Sequence, residues 1–318
     1  MLRLEQLTGK PGAFVSLTGL TPAAFEGLCA DFLPAYQRHR AAADTTRRDR
    51  QPRRRAPGAG APFALDLRHR LLLALVWLKV YPTFEVLGLL FGLDKGNARR
   101  NLLAALEVLE SLDDFPFDRP DRGGRPPRGS LAEVMADFPA VRLIIDSKEQ
   151  RIYRPGGGHA AQKPYYSGKK RAHTLKTQLA VTPGGLIESI SPPVPGSVND
   201  VRLLRETGLL GRLGEGEAGM TDKGYEGADK GYPAGVLVLP KKNRKRNPCT
   251  EADQARNRLI SRYRVVVEHA IAQLNRFTVL RQVYRGSRLR HGQVSRAVAV
   301  LVNRRTRVTP LKRYGAVA

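Results

Sequence analysis

Three carboxylates in the second half of the chain occupy positions that could support catalysis. Asp146 ends an apolar, β-favouring run, and Asp222 ends a second short apolar segment over residues 218–221. Glu268 lies further on, in a long segment with helical periodicity. Carboxylate oxygens suit Mg²⁺ or Mn²⁺, and two such ions about 3.5–4 Å apart can cleave a phosphodiester. If the three acids converge, they are candidates for a two-metal site acting on phosphodiesters.

Each acid also has a simpler interpretation. Asp146 could be a solvated residue that merely ends a strand. Glu268 stands beside a three-valine run at the margin of an apolar stripe, where a lone buried carboxylate is costly. Arg264, one helical turn earlier, could pair with Glu268 on a half-exposed face. The residues alone leave these alternatives open.

The charge of the chain points to a polyanionic partner. Its 318 residues contain 54 Lys and Arg against 29 Asp and Glu, a net charge of +25. A field of that sign attracts nucleic acid first, although RNA-binding proteins and proteins of anionic membranes share the signature. Two cysteines, far apart in sequence, predict neither a disulfide framework nor a zinc cluster.

Several other classes of protein are excluded by missing signals. The longest apolar run, over residues 71–80, is broken by Lys79 and is too short to span a bilayer. The N-terminus lacks the apolar core of a signal peptide. No glycine-rich phosphate loop is present, so no nucleotide cofactor is implied. We therefore expect a soluble intracellular protein without a membrane partner.

Residues 1–112 are predicted to form a helical N-terminal region. Thr21 and Pro22 are a typical cap and first residue of a helix, which Pro34 is expected to kink or end. Helical periodicity returns over residues 65–112, in which Asp94 or Asn97 could cap the last helix.

The end of this region has the layout of a helix-turn-helix. A short helix over 84–91 is followed by a glycine-containing turn and a second helix over about 98–112. The N-terminal end of the second helix enters the major groove in such motifs. Its first turns carry the predicted DNA contacts Arg99, Arg100 and Asn101. A plain helical bundle is the alternative.

Two stretches rich in Arg, Pro and Gly interrupt these patterns. Residues 47–62 could be a solvated loop or an arm lying along phosphates. Residues 113–139 are predicted to form a linker with a short helix near 131–135. The domain boundary is placed in this linker, so that the catalytic domain covers residues 140–318.

The catalytic half is predicted to have an α/β fold, a mixed sheet with helices on its faces. Its predicted strands cover residues 141–153 (as one strand, or as two with a break near 146–149), 174–181, 186–190, 218–221 and 235–239. Its predicted helices cover residues 199–210 and 251–280.

Basic residues surround a tyrosine pair, Tyr165 and Tyr166, in a polar loop. Such a mixture suits contact with a DNA backbone and stacking on an unpaired base, and a solvated hairpin is the alternative. The basic residues predicted to contact DNA here are Lys169, Lys170, Arg171 and Lys176. The run 241–246 could also face phosphates. His159 and His173 have no zinc-type spacing.

Five ordered motifs resemble those of a known family: IIDSKEQRIYRP, YYSGKKRAHTLKTQLAVTPGG, PPVPGSVNDVRLLR, TDKGYEG and RYRVVVEHAIAQLNRF. With the preceding helix-turn-helix segment, they resemble the DDE transposases of bacterial insertion sequences, in the PIF/Harbinger-like branch of DDE superfamily endonucleases. The resemblance covers most of the chain. It implies an RNase H-like catalytic fold with Asp146, Asp222 and Glu268 as the catalytic acids, and it places Arg264 four residues before the glutamate.

The sequence departs from the family pattern at two positions. Asn275 stands where the related signature has a lysine that contacts DNA, and Arg276 next to it could take over. Asn199 precedes Asp200 where the family often has His before Asp. Asp200 is either a fourth acid of the metal site or the N-cap of the following helix. Arg264 and Arg276 are also predicted DNA contacts.

Charge, helix-turn-helix and acids together predict a DNA transposase. The resemblance implies two Mg²⁺ (or Mn²⁺) ions, double-stranded DNA partners (transposon ends and target), cleavage, strand transfer and a homodimer on paired ends. The expected location is the bacterial cytoplasm, with the nucleoid. One alternative is a decayed or domesticated transposase that only binds DNA. Another is a metal-dependent nuclease or phosphatase that does not rejoin strands.

Overall fold

The structure is a computed structural model that describes residues 2–50, 64–112 and 136–308. The described residues form two compact units. The helical unit contains the described residues up to 112 together with Arg276–Val279 and Arg296–Val300. The sheet unit contains the other described residues from 136 onward. The predicted helix near 131–135, most of the linker, and residues 51–62 of the basic stretch lie outside the described residues.

The helical unit is built on a helix that is buried on every side. Its helices are α1 (Leu4–Thr8), α2 (Pro11–Thr18), α3 (Pro22–Arg50), α4 (Leu67–Val80), α5 (Phe84–Phe91) and α6 (Lys95–Leu109). Every residue of α4 from Leu71 to Leu78 is buried. The predicted cap of α3 is confirmed, because Thr21 Oγ1 accepts a hydrogen bond from the Ala24 amide at 3.2 Å.

The prediction that Pro34 could end α3 is wrong, because the helix continues through it. A proline inside a helix removes one hydrogen bond and costs about 3 kcal/mol. Buried aromatic side chains on both sides of Pro34 offset this cost: Phe32 is fully buried, Tyr36 is nearly so, and their ring centroids lie 5.6 Å apart. Tertiary packing therefore outweighs the local preference.

Helices α5 and α6 are joined by a tight turn. Gly92 ends α5 in the left-handed region (φ 67°), and Asp94 caps α6 by accepting from the Asn97 amide at 2.8 Å. Helix α6 therefore begins at Lys95, three residues earlier than predicted, and ends at Leu109. A Cβ atom at Gly88 would lie 2.4 Å from the Leu93 carbonyl oxygen, so the close approach of the turn requires glycine.

The sheet unit has a mixed sheet flanked by helices. Its strands are β1 (Val141–Arg151), β2 (Tyr166–Ser167), β3 (Ala172–Val181), β4 (Ile187–Ile190), β5 (Val194–Pro195), β6 (Ala218–Met220) and β7 (Leu237–Val238). The order is β2-β3-β1-β6-β7, and β4 and β5 also pair with β3. Strands β1 and β3 are antiparallel, whereas β1, β6 and β7 are parallel. The predicted α/β class and RNase H-like mixed sheet are confirmed.

The helices after residue 136 are α7 (Gly158–Gln162), α8 (Asp200–Thr207), α9 (Glu251–Asn275), α10 (Thr278–Arg281) and α11 (His291–Val308). Helices α8 and α9 pack against the sheet. On one face, Leu143 and Ile145 of β1 pack against Leu204 of α8. The alternate residues of β1 point to the other face, where α9 lies. The predicted helix 251–280 ends at Asn275 and is followed by the separate short helix α10.

Among the residues described, no single helix is long and apolar enough to span a membrane, and only the bent pair Pro11–Thr18 and Pro22–Thr45 reaches that length and composition together.

Candidate active site

Asp146 and Asp222 occupy equivalent positions on neighbouring parallel strands. Ile144 of β1 is paired with Met220 of β6. Asp146 and Asp222 each follow the paired residue of their own strand by two positions. Neighbouring strands are about 4.8 Å apart, so this register places the two acids at the same level of the sheet. Both side chains are half-buried. A one-residue shift of register would point one acid to the opposite face.

The turn after β6 is fixed around Asp222. Its carboxylate accepts a hydrogen bond from the Gly224 amide at 2.8 Å and caps the single helical turn Lys223–Tyr225. A Cβ atom on Gly224 would lie 2.9 Å from that carboxylate oxygen, so a larger residue would displace the acid. The glycine in the TDKGYEG motif therefore has a steric role beside the aspartate.

Tyr225 ties the same turn to β1, a contact that sequence reasoning missed. Its hydroxyl lies 2.7 Å from Ser147 Oγ, and its ring is buried in the core below the sheet. Burial raises the pKa of the tyrosine hydroxyl, which therefore stays protonated. The only sequence signal was an aromatic residue three positions after Asp222, which by itself does not identify a partner. The Ser147–Tyr225 pair holds the two acid-bearing segments together.

The surroundings of Asp146 shift the pKa of its carboxyl group. Burial raises the pKa of its carboxyl, and the negative charges of Asp222 and Asp200 act in the same direction. The Ser147 amide, 2.7 Å from Oδ1, and the Arg264 guanidinium, 3.1 Å from Oδ2, lower it, but the net shift is upward. A cation beside Asp146 would relieve the repulsion among the three acids.

Glu268 does not join the two aspartates in this structure. Its side chain is exposed on α9, one turn after Arg264, and Arg264 is the residue of that helix bonded to Asp146. Within the described ranges, no group of three or more His, Cys, Asp or Glu side chains is arranged to hold a metal ion. The simpler pairing of Arg264 with Glu268 is not the observed one, because the guanidinium bonds to Asp146.

Asp200 does not cap α8, so the capping alternative is wrong. Asn199 is the cap, and its side chain accepts from the Arg202 amide at 2.7 Å. Asp200 instead accepts from Lys176 Nζ at 3.0 Å. The negative charge of Asp200 contributes to the raised pKa of Asp146, so Asp200 lies within electrostatic reach of the candidate site.

Lys176 is buried, with 7% of its surface exposed, which does not fit the predicted DNA contact. Its ammonium donates to the Val198 carbonyl at 2.7 Å and to Asp200, and it lies 3.9 Å from Glu149. Glu149 in turn accepts from Thr174 Oγ1 at 2.8 Å. The register pairs Glu149 with Lys176 across β1 and β3, which sequence reasoning could not fix.

The other predicted DNA contacts have different surroundings. Lys169, Lys170 and Arg171 are exposed in the loop between β2 and β3, and Arg171 has a positive φ of 48°. Arg276 is also exposed.

On α6, Arg99 and Arg100 are exposed, and Arg100 donates to the Asn97 side chain at 2.7 Å. Asn101 is half-buried and donates to the Asn97 carbonyl at 2.9 Å. Arg99 and Arg100 are therefore more exposed to solvent than Asn101.

The sheet unit has the architecture of an RNase H-like domain, with two acids at one level of neighbouring strands. The chain belongs to the DDE superfamily endonuclease family, whose sequence profile matches residues 145–303. It is 27% identical over 239 residues to a probable transposase for insertion sequence element IS702 from Microchaete diplosiphon. That alignment covers 75% of this chain and 80% of the relative. No solved structure matches the chain.

These comparisons confirm the resemblance to DDE transposases of insertion sequences. Asp146, Asp222 and Glu268 all lie inside the matched range, whereas the helices of residues 2–112 lie outside it.

Proposed function

We propose that this protein binds the terminal inverted repeats of its own insertion element, cleaves the DNA there and joins the freed end to target DNA. The observation that carries this proposal is the register of β1 and β6, which sets Asp146 level with Asp222. Family membership supports a transposase function for the protein.

The two aspartates are the groups that would hold divalent metal ions. Mg²⁺ takes one or two carboxylates and keeps water and substrate phosphates in its other positions, which suits a pair of half-buried aspartates. Two ions held there would supply Lewis-acid activation of the attacking oxygen and stabilisation of the leaving oxygen. We assign Glu268 to the same centre as the third ligand, and Asp200 remains a candidate fourth.

Recruitment of Glu268 requires a local change on α9. Arg264 bonds to Asp146, while Glu268, one turn later on that helix, is exposed. DNA phosphates offer the guanidinium a second anionic partner with bidentate geometry. In this proposal, Arg264 transfers from Asp146 to the DNA backbone as the substrate binds, and α9 then presents Glu268 to the aspartates.

The chemistry consists of two displacements at phosphorus. In the first, water attacks at the element end and releases a 3′-OH. In the second, that 3′-OH attacks a phosphodiester of the target, and a target 3′-oxygen leaves. The chain's part is to orient the attacking oxygen and to hold the phosphate in line.

Basic residues on each unit are the proposed DNA contacts. In the helical unit, α6 reads the repeat through Arg99, Arg100 and Asn101. In the sheet unit, Lys169, Lys170 and Arg171 lie along the backbone. Arg276 takes over the DNA contact of the lysine that the family signature has at the position of Asn275. We further propose a homodimer on paired ends and a location in the bacterial cytoplasm, on the nucleoid.

A second candidate function is DNA binding without cleavage. The exposed position of Glu268, the Arg264–Asp146 pair and the asparagine at 275 favour it. In that case the positive charge and α6 are retained for DNA binding, and the acids have lost their role.

The test uses the purified full chain, Mg²⁺ and a supercoiled plasmid carrying the inverted repeats that flank the gene. We expect nicks at the repeat ends together with joined products. Cleavage without end preference would indicate a nuclease, and binding without cleavage would support the second candidate. Asp222→Asn is expected to retain DNA binding and lose cleavage; wild-type cleavage by this variant would refute the site assignment.

A further inference from the structure

The loop between α10 and α11 carries an apolar side chain that projects almost entirely into solvent. Leu289 is 94% exposed, in the single helical turn Arg288–Arg290 directly before α11. An exposed leucine is common on protein surfaces, but this one stands at the tip of a basic loop. Residues 281–292 contain four arginines and no acidic residue.

Buried hydrogen bonds fix this loop to β1. Gln150 donates to the Gln282 carbonyl at 2.8 Å and meets His291 Nε2 at 2.9 Å. The Tyr284 amide donates to the Arg151 carbonyl at 2.8 Å. The ring of Tyr284 packs edge-on against His291, with centroids 4.9 Å apart. Both ends of the loop are therefore anchored to β1, and Leu289 projects from between them.

The tip is also supported from the side. The Arg288 guanidinium lies over the ring of Tyr165, 4.6 Å from its centroid, which fixes a cation beside Leu289. A Cβ atom at Gly286 would lie 2.6 Å from the Tyr284 hydroxyl, so the chain turns there against that ring.

The loop belongs to a wider basic and aromatic rim at the end of the sheet. Ile152 bridges to Tyr284 on one side, and its amide donates to the His173 carbonyl on the other. His173 pairs with Tyr166 of β2. Tyr153 and Tyr166 are 67% and 48% exposed, and the neighbouring Arg151 and Arg154 are exposed as well.

We infer that Leu289 is a wedge that enters between base pairs of the bound duplex and distorts it, while the arginines beside it hold the phosphates. Charge complementarity identifies DNA as the occupant, because the loop carries four arginines and no acidic side chain around the exposed leucine. Proteins that kink DNA insert leucine and similar side chains between base steps in this way. The inference rests on the proposed function and adds how the DNA is deformed.

The sheet also predicts where the distortion lies. Ile152 follows Asp146 by six residues, which is about 20 Å along a strand. One base pair rises about 3.4 Å, so a distance of about 20 Å between Asp146 and the rim corresponds to about six base pairs from the scissile phosphate.

The experiment uses the full chain with Ca²⁺ in place of Mg²⁺ and element-end duplexes that carry 2-aminopurine at successive positions. For the wild type we expect a several-fold rise in fluorescence, confined to a few positions around the predicted one. Leu289→Ala is expected to bind the duplex but to lose this rise. Leu289→Lys, which adds a phosphate-binding charge, is expected to lose it too. Val15→Ala, which trims an exposed apolar side chain on the helical unit, is the matched control and keeps the wild-type signal.

Each outcome separates the wedge from the broader function. Wild-type binding without a fluorescence rise, or an unchanged rise in Leu289→Ala, overturns the wedge and leaves the proposed function standing. Failure of the wild type to bind the element end counts against the proposed function itself. Dissociation of a protein dimer by Leu289→Ala without DNA, measured by light scattering, would assign the residue to a contact between copies and overturn the wedge.

Discussion

Arg264 lies 3.1 Å from the carboxylate of Asp146 and balances its charge without a metal ion. The guanidinium and a divalent cation therefore compete for the same oxygen atoms. We expect Arg264→Ala to bind Mn²⁺ several-fold more tightly than the wild type without DNA, measured from free Mn²⁺ by electron paramagnetic resonance. Arg262→Ala, on an exposed part of the same helix, is the control. Equal or weaker binding by Arg264→Ala would show that the guanidinium does not compete.

The pH dependence of stability is a second consequence of the Asp146 environment. Because its pKa is raised in the folded protein, the folded state binds more protons between the ordinary value of 3.8 and the raised one. Stability contributed by this group therefore falls as the pH rises through that window.

Asp146→Asn removes the titrating group and tests this directly. In EDTA, the variant is expected to have a higher melting temperature than the wild type at neutral pH, and the difference is expected to shrink below pH 3.8. Glu5→Gln, at an exposed acid of the helical unit, is expected to leave the pH profile unchanged. A wild-type profile for Asp146→Asn would contradict the raised pKa.

Lys176 is predicted to be a structural residue. Replacing it with methionine leaves Asp200 and Glu149 without their shared cation in a buried setting, which costs about 3–5 kcal/mol for a broken buried pair. Lys170→Met, at an exposed site on the neighbouring loop, is expected to change stability by less than about 0.5 kcal/mol and to weaken DNA binding.

Urea denaturation measures both variants, and filter binding at fixed salt measures their DNA affinity. If Lys176→Met were as stable as Lys170→Met and lost DNA affinity instead, the original assignment of Lys176 to DNA contact would be restored.

Two glycines of the helical unit provide a matched pair of substitutions. A Cβ atom at Gly88 meets the Leu93 carbonyl at 2.4 Å, whereas one at Gly27 meets nothing within 4 Å. Gly88→Ala is expected to cost about 1–3 kcal/mol through overpacking and to weaken binding to the element end. Gly27→Ala, within α3, is expected to stabilise by about 0.5–1 kcal/mol. Calorimetry measures the melting temperatures of the two variants. Equal melting temperatures would argue against a steric requirement for glycine at the turn between α5 and α6.

Local patterns in the sequence were sufficient for much of the fold. Periodicity and caps predicted helices α4 to α6, an apolar β-favouring run predicted β1, and alternation predicted β3. Acids at the ends of apolar runs pointed to Asp146 and Asp222, although β1 continues past Asp146 to Arg151. These features depend on neighbours in the sequence, so they could be predicted without tertiary structure.

The remaining features depend on contacts distant in sequence. The burial of Lys176 follows from the register of β1 and β3, which pairs it with Glu149. The exposure of Glu268 follows from the rotation of α9 about its axis, which presents Arg264 to Asp146. Helical periodicity identifies the apolar face of a helix, but it does not decide which residues at the edge of that face are buried.

The pairing of Asp146 and Asp222 as metal ligands is the central claim, and exchange of one ligand atom tests it most directly. Asp222→Cys replaces an oxygen ligand by sulfur, which Mn²⁺ accepts more readily than Mg²⁺ does. The account predicts that this variant loses cleavage of the element-end plasmid with Mg²⁺ and regains part of it with Mn²⁺. Asp229→Cys, in the following loop, is expected to cleave with either ion. Wild-type cleavage by Asp222→Cys with Mg²⁺, or no recovery with Mn²⁺ although DNA binding is intact, would contradict the claim.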